Sequence, residues 1–300
     1  MGGFQSGRKK GEGMTVQHIA LYGKGGIGTT TTAANISVAL AEAGKRVVQI
    51  GFDPGHDSTG VLRGDRPIRT ILDSMRKTGD AASDGIVVRG YKGILCMETG
   101  LPSPDMACTG DDPVAVIEFL KGRRFLEKHN PDVVIYDVSG EAFCTGIAGS
   151  LLTDIADRVF IVSSADFMSL FAANNFFRVI TRHAPTGARL GGIIANGLTA
   201  PFAETVMADF ALNTGTRIVG TIPRSLVVMQ SALYNQSVIE AAPLSNHAYI
   251  YRRLAKHIIE NLETFQPRPL SPEKLRNWAR GWGDMILELE TGIISRGGGI

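Results

Sequence analysis

Tyr22–Thr32 reads YGKGGIGTTTT, and the rest of the chain can be read outward from it. The apolar run His18–Tyr22 before it has the composition of a buried strand. The threonines after it open a helix predicted over Thr30–Ala43, with Gly44 as its C-terminal stop. A strand, a glycine-rich turn and a helix in that order make a phosphate loop. Glycines let successive backbone N–H groups converge on phosphate oxygens, and the helix N-terminus adds partial positive charge. Gly23, Lys24, Gly25, Gly26, Ile27, Gly28, Thr29, Thr30 and Thr31 are therefore the candidate contacts to ATP or ADP. The common form of this loop places a lysine just before the closing Ser/Thr. Here that slot holds Thr29, while Thr30 keeps the hydroxyl that binds Mg²⁺ and Lys24 stands early in the loop. The pattern predicts nucleotide binding and leaves the rate of hydrolysis in question.

Further apolar runs alternate with helical patterns. Strands are predicted at Arg46–Phe52, within Val87–Met97, and at Val133–Val138, Val159–Ser164, Leu190–Ala195 and Ile218–Ile222. Helices are predicted at Pro113–Lys128, Phe167–Arg182, Pro201–Leu212 and Ser245–Leu262. Continuous apolar strands are covered on both faces, as in parallel sheets. The fold class is α/β: a doubly wound, mostly parallel sheet flanked by helices, with ligands expected at the carboxyl ends of strands. Residues 16–265 form the main domain. Residues 1–15 are read as a flexible Gly-rich, basic tail without the apolar core of a secretory signal. Residues 266–300 hold a Pro-rich linker, a helix over Glu273–Glu290 and a tail. On that helix Trp278 and Trp282 share one face, which packs either on the domain or on a second subunit.

The 300 residues are 44% hydrophobic and 20% charged, with a net charge of +2, so nothing global argues for nucleic acid or an anionic membrane as partner. No apolar stretch is long enough to span a bilayer, and the cytoplasm is the expected compartment. Three cysteines, Cys96, Cys108 and Cys144, make a poor disulfide framework. Cys96, inside an apolar run, reads as a small core residue. Asp137 closes an apolar strand, the position of a carboxylate near Mg²⁺, and Glu141 follows it by one helical turn's spacing.

Several segments, in order, resemble the nitrogenase iron protein family. They are YGKGGIGTTTT, the stretch Gly51–Thr59 (GFDPGHDST), Cys108-Thr109-Gly110, and Tyr136–Cys144 (YDVSGEAFC). Ala172–Asn175, Arg189–Gly192 and Ile222–Arg224 also match, and the resemblance covers roughly residues 17–264. The family includes nitrogenase, the dark-operative protochlorophyllide and chlorophyllide reductases, the reductase of the nickel-tetrapyrrole pathway and methylthio-alkane reductase. The resemblance implies the deviant P-loop NTPase fold and a face-to-face homodimer, with Lys24 reaching the nucleotide of the opposite subunit. It implies that Asp53 and Asp57 belong to a first switch near Mg²⁺, and that Glu141, where Asp is usual, orients the attacking water. Asn196, Pro223 and Arg224 fall where the family holds the adenine, with a mere turn cap as the lesser reading of Asn196. Cys108 and Cys144 are implied as ligands of a [4Fe–4S] cluster. Two cysteines cannot complete a four-thiolate site, but two from each protomer of a symmetric dimer can.

The implied activity is ATP-dependent delivery of low-potential electrons, drawn from a ferredoxin or flavodoxin, to the heteromeric catalytic component of a nitrogenase-like enzyme. Asp111 and Asp112 stand where nitrogenase iron proteins carry an arginine near the first cluster cysteine, and Phe52 where a cysteine is common. With Thr29, these departures point away from a nitrogen-fixing iron protein and towards a nitrogenase-like paralogue, methylthio-alkane reductase first and the chlorophyll-pathway proteins, one of which shares GxDPxHDST, close behind; nitrogenase itself is the further alternative. Two readings of another class remain. A non-redox partitioning-type ATPase shares Lys24 and both switches, and an iron–sulfur scaffold ATPase needs a CxxC pair that this chain lacks.

Overall fold

The computed structural model describes residues 9–10, 14–53, 55, 57–78, 85–100, 112–122, 128–140, 149, 151–183, 189–199 and 201–292. Eight strands form one sheet: β1 (Gln17–Gly23), β2 (Val47–Phe52), β3 (Val88–Arg89), β4 (Leu95–Glu98), β5 (Val133–Ser139), β6 (Arg158–Ser163), β7 (Leu190–Leu198) and β8 (Ile218–Pro223). Their spatial order is β8-β7-β6-β1-β5-β2-β4-β3. Every pairing is parallel except β3 with β4 at one edge. The chain moves outward from β1 to β2, returns to insert β5 between them, and then builds the other half through β6. That reversal brings the ends of β1, β5 and β2 side by side, where open α/β sheets bind ligands. A short antiparallel ladder, Lys9–Lys10 with Met14–Thr15, precedes the sheet.

The helices are α1 (Thr29–Glu42), α2 (Gly60–Arg63), α3 (Ile71–Thr78), α4 (Asp112–Lys121), α5 (Phe167–His183), α6 (Pro201–Asn213), α7 (Leu226–Leu233), α8 (Val238–Ala241), α9 (Asn246–Glu260) and α10 (Pro272–Thr291). Alternation along each strand divides the core between the two sheet faces. Ile19 and Leu21 of β1 pack with α1 and α9, whereas Ala20 and Tyr22 pack with α5 and α6. Tyr22 stacks on Phe176 of α5 with ring centroids 4.0 Å apart. Each such fully buried side chain contributes about 1.5–3 kcal/mol.

The predicted strands are observed within one residue of their expected ends, with two differences: β7 runs three residues past Ala195, to Leu198, and the third prediction divides. The segment 87–97 holds two strands, β3 and β4, separated by a 3-10 turn at Tyr91–Gly93 in which Lys92 adopts φ 53°. The predicted helix Pro113–Lys128 is observed as Asp112–Lys121, and residues 123–127 lie outside the described residues. Helices α2, α3, α7 and α8 were not anticipated.

Helix α10 answers the question posed by its tryptophans. Ser271 caps it by accepting from Lys274 N, and Leu275 is fully buried. Trp278 and Trp282 both donate their indole N–H to Asp209 Oδ2 of α6, at 2.7 and 2.8 Å. Their shared face therefore packs on the chain's own domain. Removing the acceptor in Asp209→Ala strands two indoles, with an expected cost of about 1–3 kcal/mol in chemical denaturation. Because these are the two tryptophans of the chain, intrinsic fluorescence should shift to the red in the variant. An unshifted spectrum with unchanged stability would show that α10 is held by apolar contacts alone.

Candidate functional site

The glycine-rich loop leaves β1 at Gly23 and enters α1 at Thr29. Gly28 caps α1 in the left-handed conformation, φ 90°, and a Cβ there would lie 2.5 Å from Asn196 Nδ2. That amide comes from β7 and donates to Ile27 O at 2.6 Å. Asn196 thus ties the loop to a strand that enters the sheet far later in the chain. Gly25 and Gly26 face open space, leaving their backbone N–H groups accessible to an anion. Lys24 is exposed at the head of the loop. The cradle is therefore open and lined as a phosphate group requires.

Thr29 and Thr30 point to different places. Thr29 is buried, and its hydroxyl lies beneath the loop without a hydrogen-bond partner. A Cβ on Gly23 would sit 2.2 Å from that oxygen. Thr30 donates its hydroxyl to Asp137 Oδ2 at 2.7 Å. Asp137 is 1% exposed near the end of β5, and its Oδ1 has no partner. Burial pushes this carboxyl up to about 6; the Thr30 hydroxyl opposes the rise and the charge of Asp53 adds to it. A hydroxyl, a carboxylate with a spare oxygen and an open glycine cradle form a donor set that fits a Mg–nucleotide. A divalent cation there would restore the carboxylate charge.

Of the two segments expected to act as switches, the one after β5 abuts this loop, and the other leaves the sheet at the end of β2, beside β5. Gly140, just past β5, approaches so closely that a Cβ would be 3.3 Å from Lys24 Cα and 3.2 Å from Gly23 O. Asp53 accepts from Gly55 N at 3.0 Å, a local turn at the end of β2. The Asp57 carbonyl accepts from Gly60 N at 3.1 Å and starts α2. On the other side, Arg224 N donates to Leu198 O at 3.1 Å and His247 Nε2 meets Pro223 O at 2.9 Å, which joins the ends of β7 and β8 into a wall. The structure therefore brings Lys24, Thr30, Asp53, Asp137 and Asn196 around one loop, with Pro223 and Arg224 at its flank. Pro54, His56, Asp111, Glu141, Cys108 and Cys144 lie outside the described residues. Cys96 is fully buried on β4, and burial pushes its thiol up to about 12, so it is an inert core residue.

Two carboxylates were missed in the sequence. Asp166 caps α5, accepting from Ser169 N at 2.9 Å and from the Ser164 hydroxyl. Burial would raise its pKa, but these hydrogen bonds and the nearby Lys24 charge leave it lowered. Glu98 closes β4 and is fully buried. Burial pushes it up to about 7, against the two hydrogen bonds from Thr59 and reinforced by the Asp137 charge. The signal that singles out Asp137, an acidic residue closing an apolar run, also marks Glu98 in Leu95-Cys96-Met97-Glu98.

Residues 17–283 match the family described as 4Fe-4S iron sulfur cluster binding proteins, NifH/frxC family. The chain is 43% identical over 281 residues to nitrogenase iron protein 2 of Paenibacillus durus, covering 93% of this chain and 96% of that protein. It is 40% identical over 272 residues to the nitrogenase iron protein of Methanospirillum hungatei, covering 89% and 96% respectively. Among solved structures, a chain of the MinC:MinD cell division protein complex of Aquifex aeolicus aligns with TM-score 0.64 at 17% identity, over 82% of this chain and 96% of that one. A ParA family ATPase from Chlorobium tepidum aligns with TM-score 0.63 at 19% identity, over 81% and 98%. These two likenesses, at such low identity, speak to the fold alone.

Two measurements test the site. Gly28→Ala places a side chain at positive φ and against Asn196, so nucleotide affinity should fall about tenfold or more while α1 persists by circular dichroism. Wild-type affinity in that variant would mean the loop does not need its left-handed cap. The second concerns pH. The Glu98 pKa is raised from 4.5 to about 7, so its contribution to stability is full below about 4.5 and is lost as pH rises through about 7. Glu98→Gln carries no such loss, so its Tm relative to wild type should climb between pH 4.5 and 8. A pH-independent difference would show that Glu98 titrates normally.

Proposed function

The chain belongs to the NifH/frxC family of 4Fe-4S iron–sulfur cluster binding proteins, and from that premise we propose that it is the ATP-dependent electron-donating component of a nitrogenase-like reductase. Membership makes it a nitrogenase reductase-like iron protein. The observation that carries the finer reading is the hydrogen bond from Thr30 to Asp137 beneath an open glycine cradle. The strand that supplies Asp137 continues in sequence, through Glu141, to Cys144.

In this reading Gly23–Thr31 wrap the phosphates of ATP or ADP. Thr30 gives its hydroxyl to Mg²⁺, and Asp137, with Asp53 and Asp57, holds the water shell of the ion. Glu141 orients the attacking water. Lys24, exposed in the single chain, reaches the nucleotide of the second protomer. Asn196, Pro223 and Arg224 hold the adenine. Cys108 and Cys144 of two protomers would bind one [4Fe–4S] cluster, and that cluster supplies the transferable electron. Gly140 packs on the loop backbone, so a shift of the loop with nucleotide state would displace the segment between Asp137 and Cys144.

The partners are a second copy of the chain, a ferredoxin or flavodoxin as electron source, and a heteromeric catalytic component; the compartment is the cytoplasm. Asp111 and Asp112 in place of a cation would alter the charge offered to that component, since complementary charge selects partners. Together with Phe52 and Thr29, they support methylthio-alkane reductase as the system served, ahead of a nitrogen-fixing or chlorophyll-pathway system. No helix among the described residues is long and apolar enough to cross a membrane.

Anaerobically purified, reduced protein should contain about four iron atoms per dimer and give the EPR signal of a reduced four-iron cluster. Retention of iron in Cys108→Ala or Cys144→Ala would remove those residues as ligands. For the P-loop, Thr29→Lys should raise ATP turnover about tenfold or more by returning positive charge to the β- and γ-phosphates. Phosphate release and nucleotide affinity both unchanged in Thr29→Lys would show that the slot does not limit the reaction.

A further inference from the structure

Glu98 is a fully buried carboxylate with no ion pair in contact among the described residues, the charge of Arg63 acting on it only from a distance, an arrangement that costs free energy unless the group holds something in place. What it holds is Thr59. Oε1 accepts from Thr59 N at 2.8 Å and from the Thr59 hydroxyl at 2.6 Å. Thr59 is the last residue of the GFDPGHDST segment and the cap of α2, its carbonyl accepting from Leu62 N and Arg63 N. The Glu98 side chain reaches it by crossing directly over Gly51 of β2. A Cβ on Gly51 would lie 2.0 Å from Glu98 Oε2 and 2.5 Å from Ser58 Cβ. Thr99, next along, returns both its N–H and its hydroxyl to Gly51 O at 3.0 and 2.8 Å. Gly51 is also the residue of β2 that sits opposite Asp137 of β5.

We propose that Glu98 is a positioning residue for the nucleotide-driven step: it fastens the C-terminal end of the first switch to the strand ends that carry Asp137, and so passes movement of that switch into β4 and the chain leading to Cys108. This rests on the proposed function, since without nucleotide exchange there is no movement to pass on. The arrangement repeats what Asp137 does. Each of the two strands β4 and β5 ends near a buried carboxylate, one carboxylate holds Thr30 of the phosphate loop and the other Thr59 at the end of the first-switch segment, and each strand continues in sequence towards one cysteine. Glu98 also keeps spare capacity. Its Oε2 is buried without a hydrogen-bond partner among the described residues, and the Ser58 hydroxyl, which also steadies the Asp137 carboxylate, lies near it: a Cβ on Gly51 would be 2.0 Å from Oε2 and 2.8 Å from Ser58 Oγ. A small rotation of Ser58 would add a third hydrogen bond when the switch changes position.

The test uses the full-length protein as wild type, Glu98→Ala, Glu98→Gln and Thr59→Val. Thr59→Val keeps the shape of the side chain and serves should Glu98→Ala fail to fold. Hydrogen exchange of nucleotide-free protein should show the amides of residues 59–63 exchanging about tenfold faster in Glu98→Ala. Affinity for ADP should stay within about twofold, while kcat for ATP and the preference for ATP over ADP fall about tenfold in Glu98→Ala and Thr59→Val. Glu98→Gln retains a carbonyl acceptor and should remain within about threefold of wild type. Equal weakening of ATP and ADP, or unchanged kcat in folded Glu98→Ala and Thr59→Val, would overturn the proposal. If wild type neither binds nor hydrolyses ATP, the functional reading falls by itself. Unchanged exchange at residues 59–63 in Glu98→Ala then sinks the positioning role separately.

Discussion

The parallel pairing of β1 with β5 holds its register to the last residue of each strand, Gly23 opposite Ser139. Because of that register, the glycine loop leaves the sheet beside the point where the chain leaves β5 for Gly140. The Thr30–Asp137 hydrogen bond follows from the same geometry, since the first turn of α1 starts directly above the end of β5. So does the packing of Gly140 on the backbone of Lys24. A slip of one residue would turn Asp137 to the opposite face and leave the loop without its carboxylate. The apolar residues on both sides of these strands, Ile19, Leu21, Ile135 and Val134 among them, are fully buried and oppose any such slip.

The same sheet end concentrates negative charge. Asp53, Asp137 and Glu98 lie on or just past three neighbouring strands, β2, β5 and β4, and Asp137 and Glu98 are held well above the ordinary carboxylate range. Such crowding is costly in an isolated protein and is relieved when a cation arrives. A cation bound there would gain the free energy of relieving that repulsion. The early Lys24 does not offset the crowding within one chain, because it is exposed and near Asp166.

Much of the architecture was readable in the sequence because parallel strands covered on both faces are written as short apolar runs. The phosphate loop, Asp137 and the wall at Asn196 and Pro223–Arg224 were readable for a related reason: each sits at the end of such a run. What escaped was set by contacts distant in sequence. Asn196 was read as an adenine contact or a turn cap; the partner of its amide is Ile27, in the loop after β1, two strands away in the sheet and 169 residues away in the chain. Glu98 carries the same local signal as Asp137 but no surrounding motif, and its importance depends on Thr59 reaching it across Gly51. Helix α2 spans four residues, too few for a period to show. Helix α7 is apolar almost throughout and keeps Leu226, Met229 and Leu233 exposed, so its sequence has no polar face to mark it as helical.

The bond from Asn196 to Ile27 joins the loop to β7 through groups of the chain itself. The loop is thus shaped in advance by its own scaffold, and the entropy of ordering it is spent during folding rather than at the moment of capture. Arrival of nucleotide then resembles a collision with a finished surface. Its association rate should track diffusion and charge, and differences between ATP and ADP should be expressed as differences in residence time.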